Sequence, residues 1–287
     1  MKQNKELFTE IRTIFWDTSQ AYNAKHKLDL LGPVWFNAYD IIAAHTPEVD
    51  FDAVAEKCAR THTKPTDKYY GMSKEEILTQ WRTKSDKGAK SGNDLDAYNQ
   101  ALFHDKPLPE LDLELDIETL EKYRKLRINA DTFYSKLNQN PAVELVNTEV
   151  WVNEPLFGFR GKMDLLLNNT SAESLLIVDH KQNEFISTTN AYGKFMTGCL
   201  SMLPETDLNK MTLQLYAYRY AIEEVAKKKV GSTALAHNTV NAFNLIRPTF
   251  DYSKEMMERI FNDTREYVVK KRKAAYDAKF NENNQPL

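Results

Sequence analysis

The sequence predicts a mixed α/β (α+β) fold, in which a small central mixed β-sheet is flanked by helices and preceded by a mainly helical N-terminal region. Three observations carry this. Between residues 142 and 181 the apolar residues gather into three short runs rich in Val, Leu and Ile, separated by the turn-forming stretches "NEP" and "NNTSAES". On either side of that block, apolar residues recur at helical spacing. A chain of 287 residues that is 42% apolar can also bury a substantial core.

Taken in order, the elements read as follows. Leu7, Ile11, Ile14 and Phe15, then Val34, Phe36, Ile41 and Ile42, indicate helices near the N-terminus. From Tyr69 to Asp105 the chain is polar and basic, and "QWRTKSDKGAKSGNDLDAYNQALF" reads as a surface loop leading into a helix. A helix is expected over 117–137, because Pro141 in "NQNP" stops it. Strands follow at "AVELVNTEVWV", "LFGFRGKMDLLL" and "SLLIVDHK". Helical spacing returns over 208–227, one more strand is expected at "HNTVNAFNLI", and 252–278 reads as a long charged helix. The expected organisation is a helical region over 1–140 that contributes to a substrate path, a core over 141–280 and a frayed tail over 281–287, together one compact domain.

Composition narrows the function classes. No apolar run reaches the roughly 18 residues that suggest a membrane span, and "MKQNKELFTEIRTIFWD" lacks a leader pattern, so a cytoplasmic protein without a membrane partner is expected. Cys58 and Cys199 are the only cysteines, which leaves no disulfide framework or cysteine zinc cluster. A net charge of -3 argues against a general basic coat but permits a local basic track. Neither a glycine-rich phosphate loop nor a Gly-x-Ser-x-Gly elbow occurs, which disfavours kinases, dinucleotide enzymes and serine hydrolases.

The strand block also carries charge. If "NNTSAES" turns the chain back with its centre near Ser171, Asp164 falls roughly opposite Val178 and beside Asp179. Alternation puts Ile177, Asp179 and Lys181 on one face and Leu176, Val178 and His180 on the other. Two adjacent carboxylates repel unless a proton or cation compensates them, and hard oxygen donors suit Mg2+ or Mn2+. A lysine beside such an ion can orient a water and stabilise charge on a phosphate, which favours phosphodiester hydrolysis. The alternative is a hairpin ending in a lysine–aspartate ion pair. A second Asp-x-Lys, Asp277 to Lys279, has no apolar strand before it and reads as a solvated helix.

Strand, "GKMD", strand, "VDHK", then "QLYAY" on a helix resembles the PD-(D/E)XK nuclease superfamily, in particular its RecB-like and phage recombination exonuclease branch, over about residues 144–220. The resemblance implies a restriction-endonuclease-like core. It also implies Asp164, Asp179 and the backbone carbonyl of His180 as metal ligands, Lys181 as catalytic residue, and Gln214 and Tyr218 as supporting residues on one helical face. From periodicity alone, that helix reads equally well as an ordinary amphipathic one. Glu149 matches a glutamate often found on the preceding strand. The branch usually carries a metal-binding histidine four residues after a glycine, and in "KGAKSGNDLDAY" Gly92 stands in its place. Asn93, Asp94 or Asp96 could supply an oxygen instead. The other histidines, His26, His45, His62, His104 and His237, show no metal-ligand spacing.

The implied function is a divalent-metal-dependent DNA nuclease, an exonuclease acting in recombination, repair or replication of phage or mobile-element DNA, in the host cytoplasm if phage-encoded. The alternative is a nuclease-fold protein that has lost turnover and acts in DNA binding or assembly. The expected partner is DNA, with a single-strand annealing or recombination protein and a homo-oligomer as further candidates. Arg82, Lys84, Lys87 and Lys90 are the preferred phosphate contacts, and Lys270 to Lys273 are the second choice.

Overall fold

A five-stranded mixed sheet, in the order β1-β2-β3-β4-β5, organises the chain. The computed structural model describes residues 1–111, 116–190 and 192–283. Strands β1 (Val143–Glu154), β2 (Phe159–Asn169) and β3 (Ser174–Lys181) form an antiparallel meander. Strand β4 (Val230–Asn238) runs parallel to β3, which requires a crossover, and helix α6 (Asp207–Glu224) supplies it. Strand β5 (Phe243–Ile246) closes the sheet antiparallel to β4.

The remaining helices among the described residues are α1 (Lys5–Lys25), α2 (Ala38–Ala44), α3 (Phe51–Thr61), α4 (Lys74–Phe103), α5 (Ile117–Asn138) and α7 (Lys254–Asn283). Alternation along the strands feeds two buried clusters. Ile177 and Leu166 join α1, α2, α6 and α7 on one face through Ile11, Phe15, Ile41, Leu213, Ile222 and Phe261. Leu165, Leu167 and Val178 meet Phe103 and Phe133 of α4 and α5 on the other. Residues near the N-terminus are therefore part of the sheet's own core, and the main chain of Asn4 donates to Leu145 on β1. No described helix is long and apolar enough to cross a membrane.

The structure corrects four expectations. The stretch read as a surface loop before residue 103 is the continuous helix α4. Its start is marked by Ser73 and Glu76, which form a reciprocal capping box, and Gly88 and Gly92 lie inside the helix. The single strand expected at 237–246 is the end of β4, a turn and β5. The Thr239 hydroxyl accepts from the main-chain N–H groups of Asn241 and Ala242, which holds the reversal, and "VGSTALA", without a strand expectation, is the body of β4. Residues 281–283 continue α7 rather than fraying, and the rest of the expected tail lies outside the described residues.

The fourth correction concerns register. Leu165 pairs with Val178 and Leu166 with Ile177, one residue away from the expected register. The turn occupies 170–173, with Glu173 in the left-handed region at φ 46° and the Asn169 side chain accepting from Ala172, so its centre falls half a residue later than Ser171. Because side chains alternate, a slip of one residue exchanges the faces of a strand. In the register observed, Asp164 is level with Asp179 and shares its face.

Candidate active site

The acids sit where the sheet opens. Pairing of β2 with β3 ends at Leu165 and Val178, and beyond it the Asp164 carboxylate replaces the missing main-chain partner, accepting from the His180 N–H at 2.7 Å. On β1, at the same level, Glu149 has φ 54°, an unfavourable value for a residue with a side chain. Met163 and Leu165, two apart on β2, pack into different clusters. The regular alternation of β2 is therefore broken at the level of Asp164.

Asp179 is 1% exposed. Its Oδ2 lies 2.5 Å from the Lys181 Nζ, and its Oδ1 accepts from the Gln214 amide at 3.2 Å. The same amide donates to the Tyr218 hydroxyl at 2.8 Å, while Gln214 Oε1 accepts from Lys181 at 3.4 Å. Gln214 thus bridges an acid, a base and a phenol, which its position one turn before Tyr218 on α6 allows. Thr206 caps α6 and sets its start, with its side chain accepting from Asn209.

Burial pushes the carboxyls of Asp164 and Asp179 up to about 6, and at Asp179 repulsion from Asp164 adds to it against the pull of Lys181. The carboxyl of Asp96 is also raised, by burial and then by Asp179. Burial works against the Lys181 ammonium, but the surrounding carboxylates outweigh it and its pKa lies above the ordinary lysine value. Burial holds the His180 imidazole down to about 4, and the ring sits edge-on to Phe133 on the face away from Lys181, as alternation predicts. Asp179 thus pairs directly with Lys181, and the lysine's charge also reaches Asp164 and Asp96.

This environment suits a divalent cation. Asp179 Oδ2 is fully buried and has no hydrogen bond of acceptable geometry despite the ammonium beside it, and the half-buried Asp164 adds its charge. The groups that would hold the ion are Asp164, Asp179, the His180 carbonyl and Asp96, all hard oxygen donors. Of the three α4 residues that could have provided a further oxygen, Asp96 is the one whose charge couples to Asp179 and Asp164. Asn93 is exposed, and Asp94 lines a separate small cleft beside Arg127. Helix α4 is seated by Ser91, whose hydroxyl donates to Gln182 at 2.9 Å, and a side chain at Gly92 would press on the same glutamine.

The other expected residues divide. Glu149 ion-pairs with Lys162, whose charge reaches Asp164 and Asp96, so it borders the site without pointing at Asp179. Lys84, Lys87 and Lys90 line a cleft of about 1260 Å³ that runs between α4, the start of α5 and residues 182–185 directly after Lys181. Arg82 does not line that cleft, and its charge reaches Asp52 on α3. Lys270 to Lys273 are exposed on α7, where Arg272 donates to the carbonyls of Pro33 and Trp35 and Lys271 lies over Tyr267. The Asp277 to Lys279 copy is exposed on α7, as expected. Sequence reasoning missed Lys162, Lys122 and Phe185, the last two on the cleft, and Tyr39, which lies close enough to Lys181 to influence it. None of these carries a local signal.

Gly161 acquires a physical reason. A Cβ there would lie 2.5 Å from the Tyr218 ring and 3.2 Å from that of Phe159, so the glycine of "GKMD" lets the α6 phenol close on β2. Gly161→Ala is expected to displace Tyr218 and with it Gln214, at a cost of about 1–3 kcal/mol. Chemical denaturation should read that loss, and Gly161→Ala combined with Tyr218→Leu should recover stability relative to Gly161→Ala alone. No protein-family model and no curated protein sequence matches this chain.

Proposed function

We propose that this chain is a divalent-metal-dependent DNA nuclease with a restriction-endonuclease-like core of the PD-(D/E)XK type, acting as an exonuclease in recombination, repair or replication of phage or mobile-element DNA. The carrying observation is the placement of buried Asp179 against Lys181, with half-buried Asp164 level with it at the opening of the sheet and a cleft lined by both lysines and acids beginning at the next residue. Asp164, Asp179, Asp96 and the His180 carbonyl hold Mg2+ or Mn2+, which when bound lowers the pKa of water and polarises a phosphoryl oxygen.

In this reading Lys181 Nζ orients the attacking water and balances charge that develops on the phosphate. Gln214 keeps the ammonium and the Asp179 carboxylate in register by hydrogen-bonding both, and Tyr218 fixes the amide's orientation. Lys84, Lys87, Lys90 and Lys122 attract the backbone of the strand along the cleft.

The deciding assay incubates the protein with labelled linear and covalently closed circular DNA, with and without Mg2+. Metal-dependent loss of the linear substrate alone supports the exonuclease. Cleavage of the circle replaces it with an endonuclease. Binding with no cleavage, with or without Mg2+, leaves the fold acting in DNA binding or assembly. Neutralising Lys84, Lys87 and Lys90 together is expected to weaken binding and flatten its salt dependence, by roughly one unit of log–log slope for each lysine that neutralises a phosphate. Arg82→Gln should leave the slope unchanged, since Arg82 lies off the cleft. An unaltered slope in the triple variant would remove the cleft from the substrate path.

A further inference from the structure

A second cluster lies on other elements of the fold. The ligand atoms of His45, Cys199 and Asp263 all lie within 4.8 Å of one another, the one such group of three among the described residues. His45 caps the C-terminus of α2, Cys199 lies in a short 3-10 turn at Gly198–Leu200, and Asp263 is on α7. Residues so far apart in the chain have no spacing to read.

We propose that these three side chains form a transition-metal site of zinc type, separate from the acid site. The donor set decides the class of ion. A thiolate, an imidazole and a carboxylate suit Zn2+ and are a poor match for Mg2+, and three protein ligands leave one position for water. Tetrahedral coordination at the usual bond lengths needs ligand atoms about 3.5 Å apart, so closure requires movements of roughly 1 Å.

Two features prepare the site. Both ring nitrogens of the buried His45 face carbonyl oxygens, Nε2 toward Ile260 and Nδ1 toward Thr197, each at 3.4 Å. A neutral imidazole carries one N–H, and donating it from Nε2 to Ile260 leaves the Nδ1 lone pair facing an oxygen, an arrangement that a cation relieves. Gly198, at φ 62°, borders both ligands: a Cβ there would touch His45 Nδ1 at 3.4 Å and Asp263 Oδ2 at 3.6 Å, so the glycine leaves the approach between them open.

Cys199 and Asp263 are exposed, which gives an ion access. The result would be a clip. It would tie the segment between β3 and α6, which begins at the cleft, to α2 and α7, where Thr197 already hydrogen-bonds to the carbonyl of His45 at 2.9 Å. The inference does not rest on nuclease activity.

The test is titration of the metal-free full-length protein with Co2+, followed by absorption spectroscopy. A thiolate-to-cobalt charge-transfer band with a tetrahedral visible spectrum is expected, together with displacement by one equivalent of Zn2+. Cys199→Ser should abolish the charge-transfer band, Asp263→Asn should weaken affinity by roughly 100-fold, and Cys58→Ser should change neither. Both ligand positions are exposed, so the variants should keep the wild-type circular dichroism. Absence of the band, its survival in Cys199→Ser, or competition by millimolar Mg2+ would each overturn the site.

Discussion

Lys181→Ala is expected to reduce the rate of DNA cleavage by about 10²–10⁴-fold at saturating substrate, with little change in DNA affinity measured in Ca2+. In the proposed reaction the lysine would act on the water and on charge that develops during reaction, so its loss would fall on turnover more than on ground-state binding. Lys181→Arg should not rescue. A planar guanidinium cannot occupy the compact position 2.5 Å from Asp179 and within reach of Gln214. Retained turnover in either variant would remove Lys181 from the reaction. The same ammonium is the cation in direct contact with a buried acid, so its removal should also lower stability in the absence of metal by about 3–5 kcal/mol. Divalent ions should recover part of that loss, which separates an electrostatic cause from a packing one.

Asp179→Asn is expected to abolish Mn2+ binding and metal-dependent cleavage together. Wild-type protein at 100 times its dissociation constant for Mn2+ should gain about 2.7 kcal/mol, seen as a melting shift of roughly 5 °C. Asp179→Asn and Asp164→Asn should show no shift, whereas Asp96→Asn should keep a reduced one, because among the described residues no hydrogen bond or ion pair joins Asp96 to Asp179 or Lys181 and it reaches them only through its charge. Unchanged Mn2+ affinity by calorimetry in Asp179→Asn would refute the metal assignment. Any Zn2+ binding at His45, Cys199 and Asp263 would persist in this variant, so the two sites can be measured independently.

Much of the candidate site was legible because its strands obey a strict local rule. "SLLIVDHK" alternates, so Asp179, Lys181 and Ile177 had to share a face wherever the strand was placed, and His180 had to leave it. The turn composition of "NNTSAES" required a reversal that brings Asp164 near Asp179, and the spacing of Gln214 and Tyr218 put both on one side of α6. Helix α4 was the clearest failure at the level of elements. Its glycines and charges suggested a loop, and the capping box at Ser73 and Glu76, together with tertiary contacts at Ser91 and Gly92, outweighed them.

The sequence alone determined which residues share a strand or helix face, since that depends only on a period of 2.0 or 3.6 and on residues within a turn of each other. It also determined the polar, turn-forming breaks between the strands. The tertiary structure decided the register of Asp164, the reason for glycine at 161, the placement of Asp96 rather than Asn93 or Asp94 within electrostatic reach of Asp164 and Asp179, and the meeting of His45 with Cys199 and Asp263. Each of these depends on where two segments distant in the chain come to rest against each other. Such contacts are set by the closing geometry of one turn and by packing summed over the whole core, and neither quantity is written in the residues that finally touch.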